Sequence, residues 1–283
     1  MFAWICALPV CVSLALAQGQ PIVVGFVGGF VRHDNVIHSG VQLARNLRAA
    51  YGPDVYIETF ENRHRSKAHE KILELLDSNR DGKLSPSEKQ NARIILYGHS
   101  WGASEAVTLA GELGKEGIPV LLTIQVDSVA KIGERDTVIP PNVAQAINFY
   151  QPHGLIHGPS EIRAADATRT RIIGNVRFDY RDNPIKCAEY PWYARTFMKP
   201  HIEIECDPRV WDRVESLIRS NLPAMLQKQL RRNAEEPGKF LSLRPADSPL
   251  AAQDLRHLFF DSRTAHRSLG LRFRCSIKYA SIS

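Results

Sequence analysis

The stretch "ARIILYGHSWGASEAVTLAGEL", residues 92–113, decides how this chain is read. Ile94 to Tyr97 form a continuous apolar run, as a strand buried on both faces requires, and after Gly102 the apolar residues recur at helical spacing. Between the two lies Gly98-His99-Ser100-Trp101-Gly102. In that G-x-S-x-G pattern a serine sits on a sharp strand-to-helix turn, its hydroxyl raised at the carboxyl edge of a sheet, while small flanking residues relieve the crowding. Five residues alone are a weak signal, but strand, turn and helix in that order are a specific one.

Working outward, the same alternation recurs. "PIVVGFV" (21–27) reads as a buried strand bounded by Pro21 and Gly28-Gly29. "GVQLARNLRAAYG" (40–52) reads as a helix with its stripe at Val41, Ala44, Leu47 and Arg48. "DVYIETFEN" is a strand, "SKAHEKILELLD" a helix and "IPVLLTIQVD" a strand, while "QAINFYQ" and "TRIIGNVRF" give two strands more. "DPRVWDRVESLIRSNL" (207–222) is a closing helix with Asp207 at its N-cap and Pro208 in the first turn. The expected class is α/β: a mostly parallel central sheet flanked by helices on both faces.

Composition narrows the partners. The net charge of +6 is local, since from Leu222 to the end there are 11 Lys and Arg against 5 Asp and Glu, leaving 25 of each before it. A neutral body with a basic tail lacks the basic stripe of a nucleic-acid reader, so none is expected. The first 17 residues, "MFAWICALPVCVSLALA", read as a signal peptide ending in a small-x-small site, and no later run is long enough to span a membrane. The expected organisation is a signal at 1–17, a domain at 18–222, and a disordered or weakly docked basic tail at 223–283. The mature protein is expected to be secreted or periplasmic. Export makes a Cys187–Cys206 disulfide plausible, with Cys275 left over.

A serine nucleophile needs a base, usually a histidine held by a carboxylate. Asp127 ends "PVLLTIQVD", one crossover after Ser100, and His201 in "KPHIEIECDPRVW" stands on a loop just ahead of the closing helix. Ser100, Asp127 and His201 are the leading set. His153 and His157 compete as base and Asp166 and Asp179 as acid, while His99, inside the elbow, is expected to pack. Oxyanion donors are expected from the backbone N–H of Trp101 and from the Gly28-Gly29-Phe30 loop after the first strand, at Gly29 and Phe30. Trp101, Trp192 and Tyr193 could line a substrate pocket or pack in the core.

On "VGFVGGF", "ILYGHSWGAS", "TIQVDSV" and "KPHIEIECDPRVW", the chain resembles the α/β-hydrolase superfamily, specifically its lipase- and esterase-like serine hydrolases, from about Pro21 to Leu222. The resemblance implies an eight-stranded type of sheet, Ser100 as nucleophile, Asp127 as acid and His201 as base, acting on a small-molecule ester or related acyl substrate. The acid one strand after the elbow is similar to lipases with an early acid. No lid-like hydrophobic helix is evident.

A second motif precedes the elbow strand. Asp77-x-Asn79-x-Asp81-Gly82-x5-Glu88 has the spacing of an EF-hand loop. Asp77, Asn79 and Asp81 would give side-chain oxygens to Ca2+, Lys83 its carbonyl, Ser85 a direct or water-mediated contact, and Glu88 a bidentate closure, with Gly82 at the sharp turn. No second loop pairs with it. The expectation is one structural Ca2+ that supports the elbow strand; the alternative is a calcium-binding protein on a hydrolase scaffold without turnover.

Overall fold

The computed structural model describes residues 19–222. The expected signal segment at 1–17, the tail at 223–283 and Cys275 lie outside the described residues.

Strands with no polar face must be covered on both sides, and they form the centre of the sheet. β1 (Ile22–Val27) and β3 (Ile94–His99) are buried at every residue. With β2 (Tyr56–Glu61), β4 (Val120–Val126), β6 (Val143–Tyr150) and β8 (Arg171–Arg177) they form a six-stranded sheet in the order β2-β1-β3-β4-β6-β8. Every pairing in it is parallel. Two short strands, β5 (Val138–Ile139) and β7 (Arg163–Ala164), pair with each other. The eight-stranded sheet implied by the resemblance is thus corrected to six strands among the described residues, because the first of them, β1, is already central.

Period-two alternation divides the core between the two faces. Ile95 and Tyr97 pack with Leu47 of α1 (Ser39–Tyr51) and with Trp211 and Val214 of α7 (Pro208–Asn221). Ile94 and Leu96 pack on the opposite side with Ile72 of α2 (Arg65–Leu76) and Leu109 of α4 (Trp101–Lys115). In α1 the expected stripe is off by one position: Arg48 is exposed, its guanidinium donating to the Ile57 carbonyl at 3.1 Å, and Leu43 and Tyr51 fill the buried face.

The chain after β8 departs most from the sequence reading. The expected loop ahead of the closing helix contains α5 (Trp192–Phe197) and α6 (Lys199–Cys206), so His201 sits in the first turn of a helix. Pro200 suits that first turn, and His201 to Glu205 are all buried, leaving no polar face from which helical periodicity could be read. A Cys187–Cys206 disulfide ties the segment before α5 to the end of α6. Asp207 caps α7, its carboxylate accepting from Arg209 N–H at 2.9 Å.

Strand order also locates a crevice. From β1 the chain crosses through α1 to β2 on one side, whereas from β3 it crosses through α4 to β4 on the other. Ligands of open parallel sheets bind beyond the carboxyl ends at such a reversal. Gly28 and Ser100 stand at those two ends. The two-sided burial also predicts that Leu109→Ala, at a fully buried position, lowers stability by about 2–5 kcal/mol, measurable by urea denaturation.

Candidate active site

Ser100 has the backbone conformation a nucleophile elbow demands, φ 58° and ψ −129°, a region non-glycine residues rarely occupy. Three glycines make it possible. A Cβ on Gly98 would collide with the backbone of Gly102 and Ala103, and one on Gly102 with the backbone of Phe26 and Val27 in β1. A Cβ on Gly28 would lie 2.7 Å from the Ser100 Cβ and 3.4 Å from its Oγ, so the turn after β1 lies directly against the serine. The Ser100 N–H donates to the Val126 carbonyl at 3.0 Å, fixing the elbow to the end of β4.

Asp127 is the next residue after β4, fully buried, with φ 43°. Its Oδ2 lies 2.7 Å from His201 Nδ1 and accepts from Gln151 Nε2 at 2.9 Å, while Oδ1 accepts from Gly158 N–H at 2.7 Å. Gly158 is needed for that approach, since a Cβ there would lie 2.7 Å from Ser128 N and 2.8 Å from the Asp127 carbonyl carbon. The carboxylate is therefore held from several sides. Among the described residues no hydrogen bond joins Ser100 Oγ to His201, a contact that is often loose in a ligand-free site and tightens with substrate.

His99 packs against His201, the ring centroids 4.5 Å apart at 33°. Burial, with repulsion from His201 and His38, pushes the His99 pKa well below its ordinary 6.5, so this ring stays neutral.

The alternative histidines and aspartates have contacts of their own. His153 Nε2 lies 3.2 Å from Asp179, whose carboxyl the Arg181 and Arg177 guanidinium groups and His153 hold far below the usual carboxylate range. His157 turns Nδ1 to the Gly158 carbonyl at 3.1 Å, and Asp166 accepts from the Thr168 N–H and hydroxyl at the surface.

The expected oxyanion donors flank Ser100. Trp101 begins α4, where a backbone N–H has no acceptor within the helix. Gly29, at φ 52°, follows Gly28, and the exposed ring of Phe30 meets Trp101 edge to face at 5.7 Å. Asn62, which the sequence reading missed, pins this turn by donating Nδ2 to the carbonyls of Gly29 and, at 3.3 Å, Val27. The signal was its place at the end of β2, beside β1 in a parallel sheet. Gln151 was legible in the same way, immediately after β6.

Two further buried carboxylates support this frame. Glu105 of α4 binds both Arg65 and Lys131, and Lys131 donates to the Asn62 carbonyl at 3.0 Å. Glu205, one turn after His201, lies 3.2 Å from His38 at the start of α1, and burial raises its carboxyl above the ordinary value.

The acidic loop lies between α2 and the five-residue α3 (Pro86–Gln90). Gly82 takes the left-handed turn at φ 77°. Asp77 accepts from the N–H groups of Asp81 at 3.2 Å and Gly82 at 2.8 Å, Asn79 from Asp81 at 3.0 Å, and Asp81 from Lys83 at 2.8 Å. Glu88 takes hydrogen bonds from Ser78 and Ser85, which lower its pKa to about 2. Among the described residues no group of three or more His, Cys, Asp or Glu side chains is placed to hold a metal ion. The donors are all oxygens, the type that suits Ca2+.

No family model and no curated protein sequence matches the chain. Solved structures similar to it include the RedJ thioesterase of prodiginine biosynthesis from Streptomyces coelicolor, at 13% identity over 73% of this chain and 92% of that one, TM-score 0.38. Others are the type II thioesterase YbtT of the yersiniabactin pathway, at 13% over 69% and 96%, TM-score 0.32, and a thermostable esterase from Pseudomonas putida, at 15% over 42% and 38%, TM-score 0.27. The sheet itself, six parallel strands flanked by helices with a strained serine turn at one carboxyl edge, is of the α/β class.

Two outcomes follow. Gly102→Ala costs more than about 3 kcal/mol by thermal or urea unfolding, because the obstructing atoms are backbone. His99 makes the protein acid-sensitive: below 6.5 the unfolded chain takes up a proton that the native ring refuses, so stability rises with pH there and is lost as pH falls. That loss approaches about 1.4 kcal/mol per pH unit, and a His99→Gln protein, compared by unfolding at pH 7 and 5, is free of this contribution.

Proposed function

We propose that the protein is a serine hydrolase that cleaves a carboxylic ester or related acyl bond. The observation that carries this reading is the buried 2.7 Å contact between Asp127 and His201 at the sheet edge where the Ser100 elbow stands. In this mechanism Ser100 Oγ attacks the acyl carbon and passes its proton to His201 Nε2. Asp127 holds Nδ1–H and stabilises the imidazolium. The oxyanion is taken by the N–H groups of Trp101 and of the Gly29 and Phe30 turn. His201 then protonates the leaving alcohol or thiol, and water repeats the sequence on the acyl-serine. The Cys187–Cys206 disulfide supports placing this chemistry in a secreted or periplasmic compartment.

A panel of p-nitrophenyl esters of increasing chain length tests the proposal. The expected result is turnover by the wild type, near-complete loss in Ser100→Ala, and a fall of roughly 10⁴ in kcat for Asp127→Asn, which leaves the histidine in the wrong tautomer. Turnover by Ser100→Ala equal to wild type contradicts it.

The loop from Asp77 to Glu88 belongs to the proposal as a structural Ca2+ site with Asp77, Asn79, Asp81, Lys83, Ser85 and Glu88 as its oxygen donors. The helix–loop–helix setting and the turn at Gly82 support it. EGTA is expected to lower the melting temperature of the wild type, and an Asp77→Ala, Glu88→Ala protein to melt alike with and without the chelator. No calcium effect on wild-type melting removes Ca2+ from the account.

A further inference from the structure

The short helix α5 overturns the expectation that Trp192 and Tyr193 pack in the core. Of its six residues only Ala194 is buried, while Trp192, Tyr193 and Phe197 are 67%, 53% and 68% exposed. Trp192 lies 6.2 Å from the Tyr193 ring and 6.5 Å from the Phe197 ring, so the three make one aromatic patch outside the core. It is firmly backed. Ala194 packs into a buried cluster with Tyr190, Ile202 and Cys187, whose disulfide to Cys206 fastens the segment to α6.

Beside the aromatic patch is a charged one. Lys186, Arg195 and Lys199 line a single surface pocket of about 290 Å³ that also reaches Glu203. None of the three cations forms a salt bridge among the described residues, though Lys199 acts at longer range on Glu203, whose burial raises its carboxyl. Between residues 186 and 199 the only acidic residue is Glu189.

We propose that the segment from Lys186 to Lys199 docks the protein on an anionic phospholipid surface. Trp192, Tyr193 and Phe197 enter the boundary between headgroups and acyl chains, where amphipathic rings are favoured, and the three cations receive a phosphate-bearing headgroup. Charge complementarity selects this occupant, since aromatic burial alone would accept any apolar surface. The site is separate from the acyl chemistry and adjacent to it: one residue, Met198, lies between α5 and the helix that carries His201. Leu155, 94% exposed, lies on the loop after β6 whose Gly154 backs onto Pro200, so the apolar surface extends along the same sheet edge.

The test is co-sedimentation of the full-length protein with vesicles of phosphatidylcholine alone and of phosphatidylcholine containing about one third phosphatidylglycerol. The expected result is binding at least about tenfold tighter to the anionic vesicles. Lys186→Gln, Arg195→Gln, Lys199→Gln together remove that preference, and Trp192→Ser, Phe197→Ser reduce binding by about tenfold or more. All five positions are exposed, and matching melting temperatures verify that the variants fold. The variants retain the basic tail, so anionic binding that both share with the wild type assigns it to the tail and overturns the proposal. Loss of vesicle binding in millimolar inorganic phosphate at constant ionic strength overturns it too, as does equal binding to both vesicles. Ser100→Ala is expected to bind like wild type, so failed ester hydrolysis leaves this result intact.

Discussion

The backbone of Ser100, forced to φ 58° between a strand and a helix, is the constraint on which the rest of the structure depends. Such a turn costs about 1–3 kcal/mol and persists only where its surroundings over-determine it. Here Gly98, Gly102 and Gly28 remove the side chains that would collide, and the Val126 carbonyl receives the Ser100 N–H. The helix entry can then press onto β1. Because β1 and β3 are adjacent and the chain diverges after them, the serine and the Gly28–Phe30 turn face one crevice.

The second layer is polar and buried. A carboxylate as enclosed as Asp127 is costly unless its oxygens are filled, and His201 of α6 fills them together with Gln151 and Gly158 of the loop after β6. Those partners set its orientation. His201 in turn is fixed through α6: the His38–Glu205 pair ties that helix to the start of α1, and the disulfide ties its end to the segment before α5. The neutral His99 ring lies against the His201 ring.

How much of this was legible depends on range. The elbow, its strand and helix, and the alternation from Pro21 to Asp127 are local patterns, and they survive in the structure with small shifts such as the exposed Arg48. Asp127 could be placed at the serine's sheet edge because a strand end and a crossover fix which edge a residue reaches. His201 was placed near it by position, although its helix was read as a loop: "HIEIE" has no polar face, being buried throughout. Asn62 and Gln151 were missed although each directly follows a strand, and Gly158 carried no signal at all, because its role is a contact with a distant segment. The exposed aromatic face of α5 was missed for the same reason. Trp192 and Tyr193 read as pocket or core until tertiary packing puts Ala194 inward and them outward.

The central claim is that one strained serine is the chemical centre of this fold, and covalent trapping tests it most directly. Treating the full-length protein with a fluorophosphonate and mapping the adduct by peptide mass spectrometry should find a single modification on Ser100, absent in Ser100→Ala and strongly slowed in His201→Ala. Modification of a different residue, or no modification of a folded wild-type protein, would contradict the account.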